Sequence, residues 1–416
     1  MCRYKRGAAA EFRRRYEKAQ KQCHNGACVR GGGAALGLAA LASVDPRAMA
    51  RPKNHGLLIV GGGLSSSLAA LAMARLRPEV PMLLVGEEPR FGGGRPLLLL
   101  DAALDDEERA FIEPLLAASW EGFYVAMPGR SRRVKLRCHA LSPEKVEAAL
   151  AEALPAKLRW AERRIVAVRD ASLLLHGGEA VAGTGAIDAR SWTHQTTLEL
   201  GWRHSTTRIY DFAEPHRVDL PVLLDTNVPQ GAGCAFFTCL PLSETRLALE
   251  HVRYATAPEA DPREGGSRLD DYVSLRGWSG GHAAAEDRAS LPVALGGDFE
   301  AYYRIGGARV AKLGKRGGFF FPTTGAPLPD AVRTALLLTR QRDFSGGALH
   351  DLFEEAAIAS WKRREAYRAF DRLLLRGGGC RAVEGLFGLE APLIERFFAE
   401  RLGLFDRRKL MAAADA

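Results

Sequence analysis

The sequence predicts an α/β fold, in which a βαβ unit on a parallel sheet is interleaved with a mainly-β region and followed by a helical C-terminal region. Three observations predict it. Leu57-Leu58-Ile59-Val60 is a continuous apolar run ending in glycines, the pattern of a parallel strand buried on both faces. Leu64–Leu76 has helical periodicity and Met82–Val85 is a second apolar run, so strand, glycine turn, helix and strand fall within about 30 residues. After Gly325 the pattern is helical almost to the end.

Taken in order, residues 1–54 form a basic extension. Its Arg3–Arg30 part is polar and charged, and Gly31–Ser43 is a run of small residues. This reads as a disordered extension or as a signal peptide with a short apolar core. Residues 1–53 hold twelve Lys/Arg and three Asp/Glu, which accounts for the whole net charge of +9. The remainder is neutral, with no basic excess to offer phosphates, so nucleic-acid binding is not expected. Seven scattered cysteines do not form a disulfide framework, and a reducing compartment is expected. Cys23, His24 and Cys28 lack a second ligand pair at zinc spacing, so no metal is expected. No run of eighteen apolar residues occurs, and any membrane contact would be peripheral.

Residues 55–190 and 301–345 are expected to form the two parts of the dinucleotide-binding domain, 191–300 a mainly-β substrate domain and 346–416 a helical region. Within these, Leu104–Trp120 reads as a charged helix and Pro143–Leu154 as an amphipathic one. Residues 158–190 read as short strands around a Gly177-Gly178 turn, and Thr206–Tyr254 as mostly extended. Residues 255–290 are acidic, glycine-rich and weakly patterned, which suggests a surface excursion.

Gly61-Gly62-Gly63-Leu64-Ser65-Ser66 is a G-x-G-x-x-small turn in the context it needs, after a strand and before a helix. Gly61 permits the tight turn, Gly63 lets backbone approach a pyrophosphate, and Ser66 is small enough for close helix–strand packing. The phosphates would sit on free N–H groups at the helix N-terminus. Glu87, one residue beyond the usual place, is the candidate ribose-binding acid. This is a Rossmann-type arrangement.

Several stretches resemble the bacterial lycopene cyclase family, in the family's order. They are Leu57–Leu71, Ala186-Ile187-Asp188-Ala189-Arg190, Leu224–Val228, Leu240-Pro241-Leu242-Ser243-Glu244-Thr245-Arg246 through Glu250, Phe320-Phe321-Pro322-Thr323-Thr324-Gly325, and Ala391-Pro392-Leu393-Ile394-Glu395-Arg396-Phe397-Phe398. The similarity spans roughly residues 56–412. The resemblance implies a Rossmann-type FAD-binding domain with reduced FAD as cofactor and NAD(P)H as its reductant. It implies a lycopene β-cyclase that closes rings on lycopene with no net redox change, working in the cytoplasm at the inner face of the cell membrane. By the same resemblance Arg316, Gly318, Pro322 and Gly325 lie along the flavin, and Glu250 is the catalytic acid. The alternative is a flavin reductase or monooxygenase acting on an isoprenoid, since the βαβ unit alone does not exclude redox chemistry.

The sequence departs from the family at four places. Gly86 stands where the family has its acid, Arg95 where it has His in Gly-Gly-Asn-His-Thr-Trp, His251 where an acidic residue follows the catalytic Glu, and Phe321 where His precedes Pro-Thr-Thr-Gly. These departures motivate a third reading, a polyene- or lipid-binding protein without activity. Ring closure needs a proton on a terminal double bond, and a carboxyl in an apolar tunnel suits this, because desolvation keeps it protonated near neutral pH. Glu250 is expected to be such a group, opposite Leu249 on an alternating strand, with a cationic His251 as the neighbour that would oppose protonation. Phe319-Phe320-Phe321 reads either as tunnel wall or as ordinary core. Leu393, Ile394, Phe397, Phe398 and Leu402 share a helical face that packs on the core or meets a membrane surface.

Overall fold

A strand buried on both faces has to be covered by helices on each side, and this chain meets that need with a helix that is itself buried all round. In the computed structural model, which describes residues 54–191, 197–230, 233–259, 261, 263–278, 281–376 and 379–415, β1 (Leu57–Val60) leads through the glycine turn into α1 (Leu64–Leu76) and back to β2 (Met82–Val85). The basic extension, with its signal-peptide and Cys23-His24-Cys28 readings, lies outside the described residues.

β1 pairs in parallel with β2 and with Gly185–Asp188. Ala311–Lys312 and Arg159–Trp160 complete a five-stranded parallel sheet at its two edges. Every residue of α1 from Leu64 to Met73 is buried. Its serines and alanines let it lie close against the sheet and against the helices Pro143–Ala153 and Leu328–Thr339.

The second large sheet has seven strands in the order His282–Gly297, Leu198–Asp211, Arg246–Ala255, Ala235–Pro241, Val222–Asp225, Phe123–Met127 and Arg130–Val134. It is antiparallel except where Val222–Asp225 joins Phe123–Met127. One face carries Leu247, Leu249 and Phe237, which pack on the helix Glu264–Leu275 side through Leu269 and Tyr272. The other face carries Ala248 and Glu250 and meets the helices Arg381–Gly388 and Ala391–Phe398 across a cavity, while the helix Glu365–Leu375 joins the same core.

Three expectations are corrected. Leu104–Trp120 is not one helix. A capping box of Asp105 and Glu108 starts a helix over Asp106–Ile112, and beyond a tight turn containing Pro114 the chain becomes the strand Leu116–Trp120. Residues 255–290 are not a loose excursion, because they supply the helix Glu264–Leu275 and the start of a sixteen-residue edge strand, His282–Gly297. That strand's first half is exposed on both faces, so it lacks the alternation that would betray it. Finally, Cys234 and Cys380 are bonded to each other, which joins the β-sheet to the turn before Arg381–Gly388. A pair 146 residues apart leaves no spacing signal.

Candidate active site

The loops at the carboxyl ends of the parallel strands converge, the usual place for a ligand in an open α/β sheet. Gly61 donates its N–H to Val85 and, at φ +132°, a Cβ on it would strike the Ala189 carbonyl. Gly63 caps α1 with no side-chain hydrogen bond, and a Cβ there would meet nothing within 4 Å. Ser66 and Ser67 both donate to the Gly63 carbonyl at 2.9 and 2.8 Å, which fixes the turn and leaves helix N–H groups facing open space. This is the cradle a pyrophosphate requires.

Glu87 accepts a hydrogen bond from the Ile165 backbone N–H at 2.9 Å, an engagement away from the glycine turn. Its neighbour Glu88 reaches back instead. Oε2 of Glu88 is buried, has no partner, and lies where a Cβ on Gly62 would be. A side chain at Gly86 would press on Gly62 and Phe91, so the acid two residues later occupies the space beside the turn. An orphaned carboxylate oxygen at that point suits a ribose hydroxyl. Glu87 is the nearer of the two acids to the strand, and only the folded loop distinguishes them.

The third strand ends on Asp188, which is fully buried and takes Arg190 at 2.8 Å and Arg316 at 3.3 Å. Arg316 also donates to the Ser191 carbonyl, while its Nε is buried without a partner. The Gly314–Gly317 turn abuts Ser65 of α1 and ends at Gly318, whose φ of +79° and contact with Phe299 admit only glycine. Together the unfilled space at Gly63, the orphaned Glu88 oxygen and the orphaned Arg316 nitrogen fit a bound dinucleotide.

Phe321 to Ala326 closes a tight loop, with Phe321 N–H donating to the Ala326 carbonyl and Gly325 N–H to the Phe321 carbonyl. Pro322 and a left-handed Gly325 shape it, and Thr323 and Thr324 line the cavity. Of the three consecutive phenylalanines only Phe321 faces the cavity. Phe319 packs on Phe353, and the Phe320 carbonyl accepts from Arg364.

The cavity has about 180 Å³ of internal volume and opens through a wide mouth, with which its empty space totals about 1290 Å³. Leu97 to Leu100, Phe236, Leu240, Phe387 and Phe398 give it an apolar wall. Its charged residues are Glu250, Arg95 and Arg203. Register explains the cluster: Glu250 sits opposite Thr207, and Arg203 opposite Tyr254, on the cavity face of adjacent strands. Arg203 donates to both Glu250 oxygens at 3.2 and 2.9 Å. Arg95 donates to Oε1 at 2.6 Å and also to the Ser205 and Thr207 hydroxyls.

This corrects the expected protonation state. Burial pushes the Glu250 carboxyl up, but Arg203 and Arg95 outweigh it and hold the group down at about 2. The carboxylate is therefore ionised at neutral pH. His251 is not responsible, because it points to the opposite face of the sheet against Phe237, and burial lowers its imidazole to about 4. Neither Arg246 nor Arg253 pairs with Glu250; they pair with Asp211 and Glu264.

Arg203, Lys315, Asp287 and Glu88 were not singled out from the sequence. Arg203 lies among polar residues that alternate on the cavity face (Ser205, Thr207), a signal that could have found it. Lys315 lies in the Gly314–Gly317 turn, and burial followed by the nearby Arg95 lowers its ammonium to about 8. Asp287 stands 3.9 Å from Arg95 and against Gly94. The dinucleotide cradle and the Glu250 cluster are thus contiguous.

Known structures share this architecture, and some of them are described as flavin-dependent or as complexed with FAD. The chain superposes on a geranylgeranyl bacteriochlorophyll reductase-like protein from Thermoplasma acidophilum with a TM-score of 0.56 at 14% identity, covering 86% of this chain and 96% of that one. It superposes on HpxO from Klebsiella pneumoniae complexed with FAD and uric acid with a TM-score of 0.56 at 13% identity, covering 83% and 96%. These likenesses establish the fold. In sequence, the lycopene beta-cyclase of Pseudescherichia vulneris is 31% identical over 361 residues, 85% of this chain and 92% of that protein. That of Pantoea ananas is 27% identical over 363 residues, 86% and 94%. The pattern of the family described as lycopene cyclase protein matches residues 56–413, and the chain belongs to that family.

Proposed function

We propose that this protein is a lycopene β-cyclase, an isomerase that closes β-ionone rings on lycopene by acid catalysis with no net redox change. One observation carries the reading: an apolar cavity meets a carboxylate, Glu250, next to a dinucleotide cradle. Ring closure adds a proton to a terminal double bond, the neighbouring alkene attacks the tertiary cation, and a proton then leaves. Only a proton donor and acceptor, dry surroundings and support for a cation are needed.

Glu250 fills the donor and acceptor role. Taking up a proton at pH 7 costs about 7 kcal/mol for a group held near 2. Once protonated it is a correspondingly strong acid, and Arg95 and Arg203 stabilise the carboxylate it leaves behind. The same carboxylate then accepts the departing proton. The leucines of Leu97–Leu100 exclude water that would capture the cation. Phe236, Phe321, Phe387 and Phe398 present aromatic rings to the cavity, and each face turned to the cation contributes about 0.5–2 kcal/mol. Phe321 thus replaces a histidine of the family with a group that cannot compete for the proton.

The residues that would hold FAD are the Gly61–Ser66 turn at the pyrophosphate, Glu88 at the ribose, and Arg316 and Gly318 with the Pro322–Gly325 loop along the flavin. Reduced by NAD(P)H, that cofactor supplies an electron-rich ring whose charge favours a nearby cation. The test is expression in bacteria that accumulate lycopene, with chromatography of the pigments. Conversion to γ- or β-carotene is expected; lycopene left unchanged at good expression defeats the proposal.

A further inference from the structure

The cyclase reading requires a hydrocarbon that dissolves in lipid, and among the described residues no helix is long and apolar enough to cross a membrane. The helical face proposed for that contact from the sequence is used otherwise. Leu393, Ile394 and Phe397 are fully buried, Leu402 nearly so, and Phe398 lines the cavity. Six residues after Phe398, however, Leu404 and Phe405 stand 75% and 79% exposed at the start of the helix Leu404–Asp415.

That helix is anchored from its other side. Leu410 and Ala414 are buried, and Ala413 and Ala414 lie against Gly385 of the cavity-lining helix Arg381–Gly388. The outer face therefore presents Leu404, Phe405 and Arg408, one turn apart. Arg401, Arg407 and Arg408 are exposed and have no carboxylate partner among the described ion pairs, whereas Arg396 takes Asp406 and Lys409 takes Glu390. An exposed apolar pair ringed by unpaired arginines matches the acyl boundary and the anionic head groups of a lipid surface. A protein partner would have to offer the same two chemistries side by side.

We propose that Leu404 and Phe405, with Arg401, Arg407 and Arg408, seat this protein on an anionic lipid surface. The seat would hold the helices that wall the cavity against the source of the polyene. This deepens the cyclase reading and rests on it for the substrate, but not for the binding itself. The alternative occupants of the patch are a second copy of the chain or a protein.

The full chain is sedimented with vesicles of phosphatidylcholine alone and of phosphatidylcholine with about a quarter phosphatidylglycerol, since anionic lipid is what should matter. Preferential binding to the anionic vesicles is expected. Leu404→Ser with Phe405→Ser should weaken binding to them by at least tenfold. Arg407→Gln with Arg408→Gln should abolish the preference for anionic lipid and leave the apolar contribution. Lycopene conversion in detergent micelles should be unchanged in both variants, whose folding is checked by flavin content and melting temperature. If the parent does not sediment with either vesicle, or the double Ser variant binds as the parent does, the proposal is overturned. It is equally overturned if the patch instead mediates dimers that the double Ser variant loses. Vesicle binding that depends on the patch, without conversion in micelles, would sustain the surface and defeat the cyclase reading.

Discussion

Replacing Arg95 with Gln should make this protein a faster acid catalyst. Arg95 donates to Glu250 at 2.6 Å, and the two side chains are only 12% and 17% exposed. With an effective dielectric of about 20 and allowance for Arg203, which remains, loss of this charge eases protonation of Glu250 by about 3 kcal/mol. The protonated fraction at pH 7 then rises roughly 10²-fold. A carboxyl that is less acidic transfers its proton more slowly, and Brønsted behaviour returns about half of that gain on a logarithmic scale, leaving about a tenfold increase in rate. The assay is conversion of lycopene in micelles by purified protein with reduced flavin, followed against pH. In the parent the rate should fall about tenfold per pH unit between pH 5 and 8, because Glu250 titrates at about 2. In the variant the decline should begin from a plateau nearer the ordinary carboxylate value of 4.5. Stability should move the other way. A depressed carboxyl stabilises the fold above its unfolded pKa and loses that contribution as pH falls through 2, so the variant should melt lower at pH 7, by a margin that narrows at pH 3 and closes only near pH 2. A variant that binds flavin and carotenoid normally yet cyclises tenfold more slowly would refute the reasoning, and Arg95 would then be required to orient Glu250.

Other perturbations address the cradle and the buried acids. Gly63→Val should abolish flavin absorbance with little change in the melting temperature of the flavin-free protein, since its side chain enters open space rather than protein. Glu88→Gln should weaken FAD binding measured by fluorescence, with Glu87→Gln much less affected; the reverse order would return the ribose to Glu87. Asp371, fully buried and accepting the Thr323 N–H at 2.7 Å, is pushed by burial from 3.8 to about 7, against the hydrogen bonds from Thr323 and the charge of Arg368. A raised carboxyl stabilises at low pH and loses that contribution as pH climbs through 7. Asp371→Asn should therefore raise the melting temperature more at pH 8 than at pH 5, corresponding to as much as about 4 kcal/mol at the higher pH. An equal change at both pH values would show that Asp371 is not protonated in the native state.

What the sequence disclosed follows from range. The βαβ unit was legible because β1, the glycine turn, α1 and β2 are consecutive, and their apolar runs and small residues have no other use. Gly61, Gly63 and Ser66 stand where that pattern places them. The strand carrying Glu250 was also legible, including its separation from Leu249 to opposite faces. What failed was long-range or edge-dependent. His282–Gly297 reaches solvent on both faces along its first half and shows no period. Arg95 stood out as a departure, yet its partner Glu250 lies 155 residues away and cannot be read from local pattern. Charge pairing then reversed the protonation state that burial alone would give, and Cys234–Cys380 escaped for the same reason of distance.

The central claim is that Glu250 passes a proton, and no hydride, to the polyene. Cyclisation of lycopene in D₂O by purified protein, with the flavin reduced beforehand, tests it by mass spectrometry of the product. Glu250 ionises readily between turnovers, so the proton it transfers is drawn from solvent, and one deuterium should enter for each ring closed. Glu250→Gln should form product at least about 10²-fold more slowly while still binding flavin and carotenoid. Product without deuterium, label arriving instead from deuterated NAD(P)H, or full activity in the Gln variant would contradict the account.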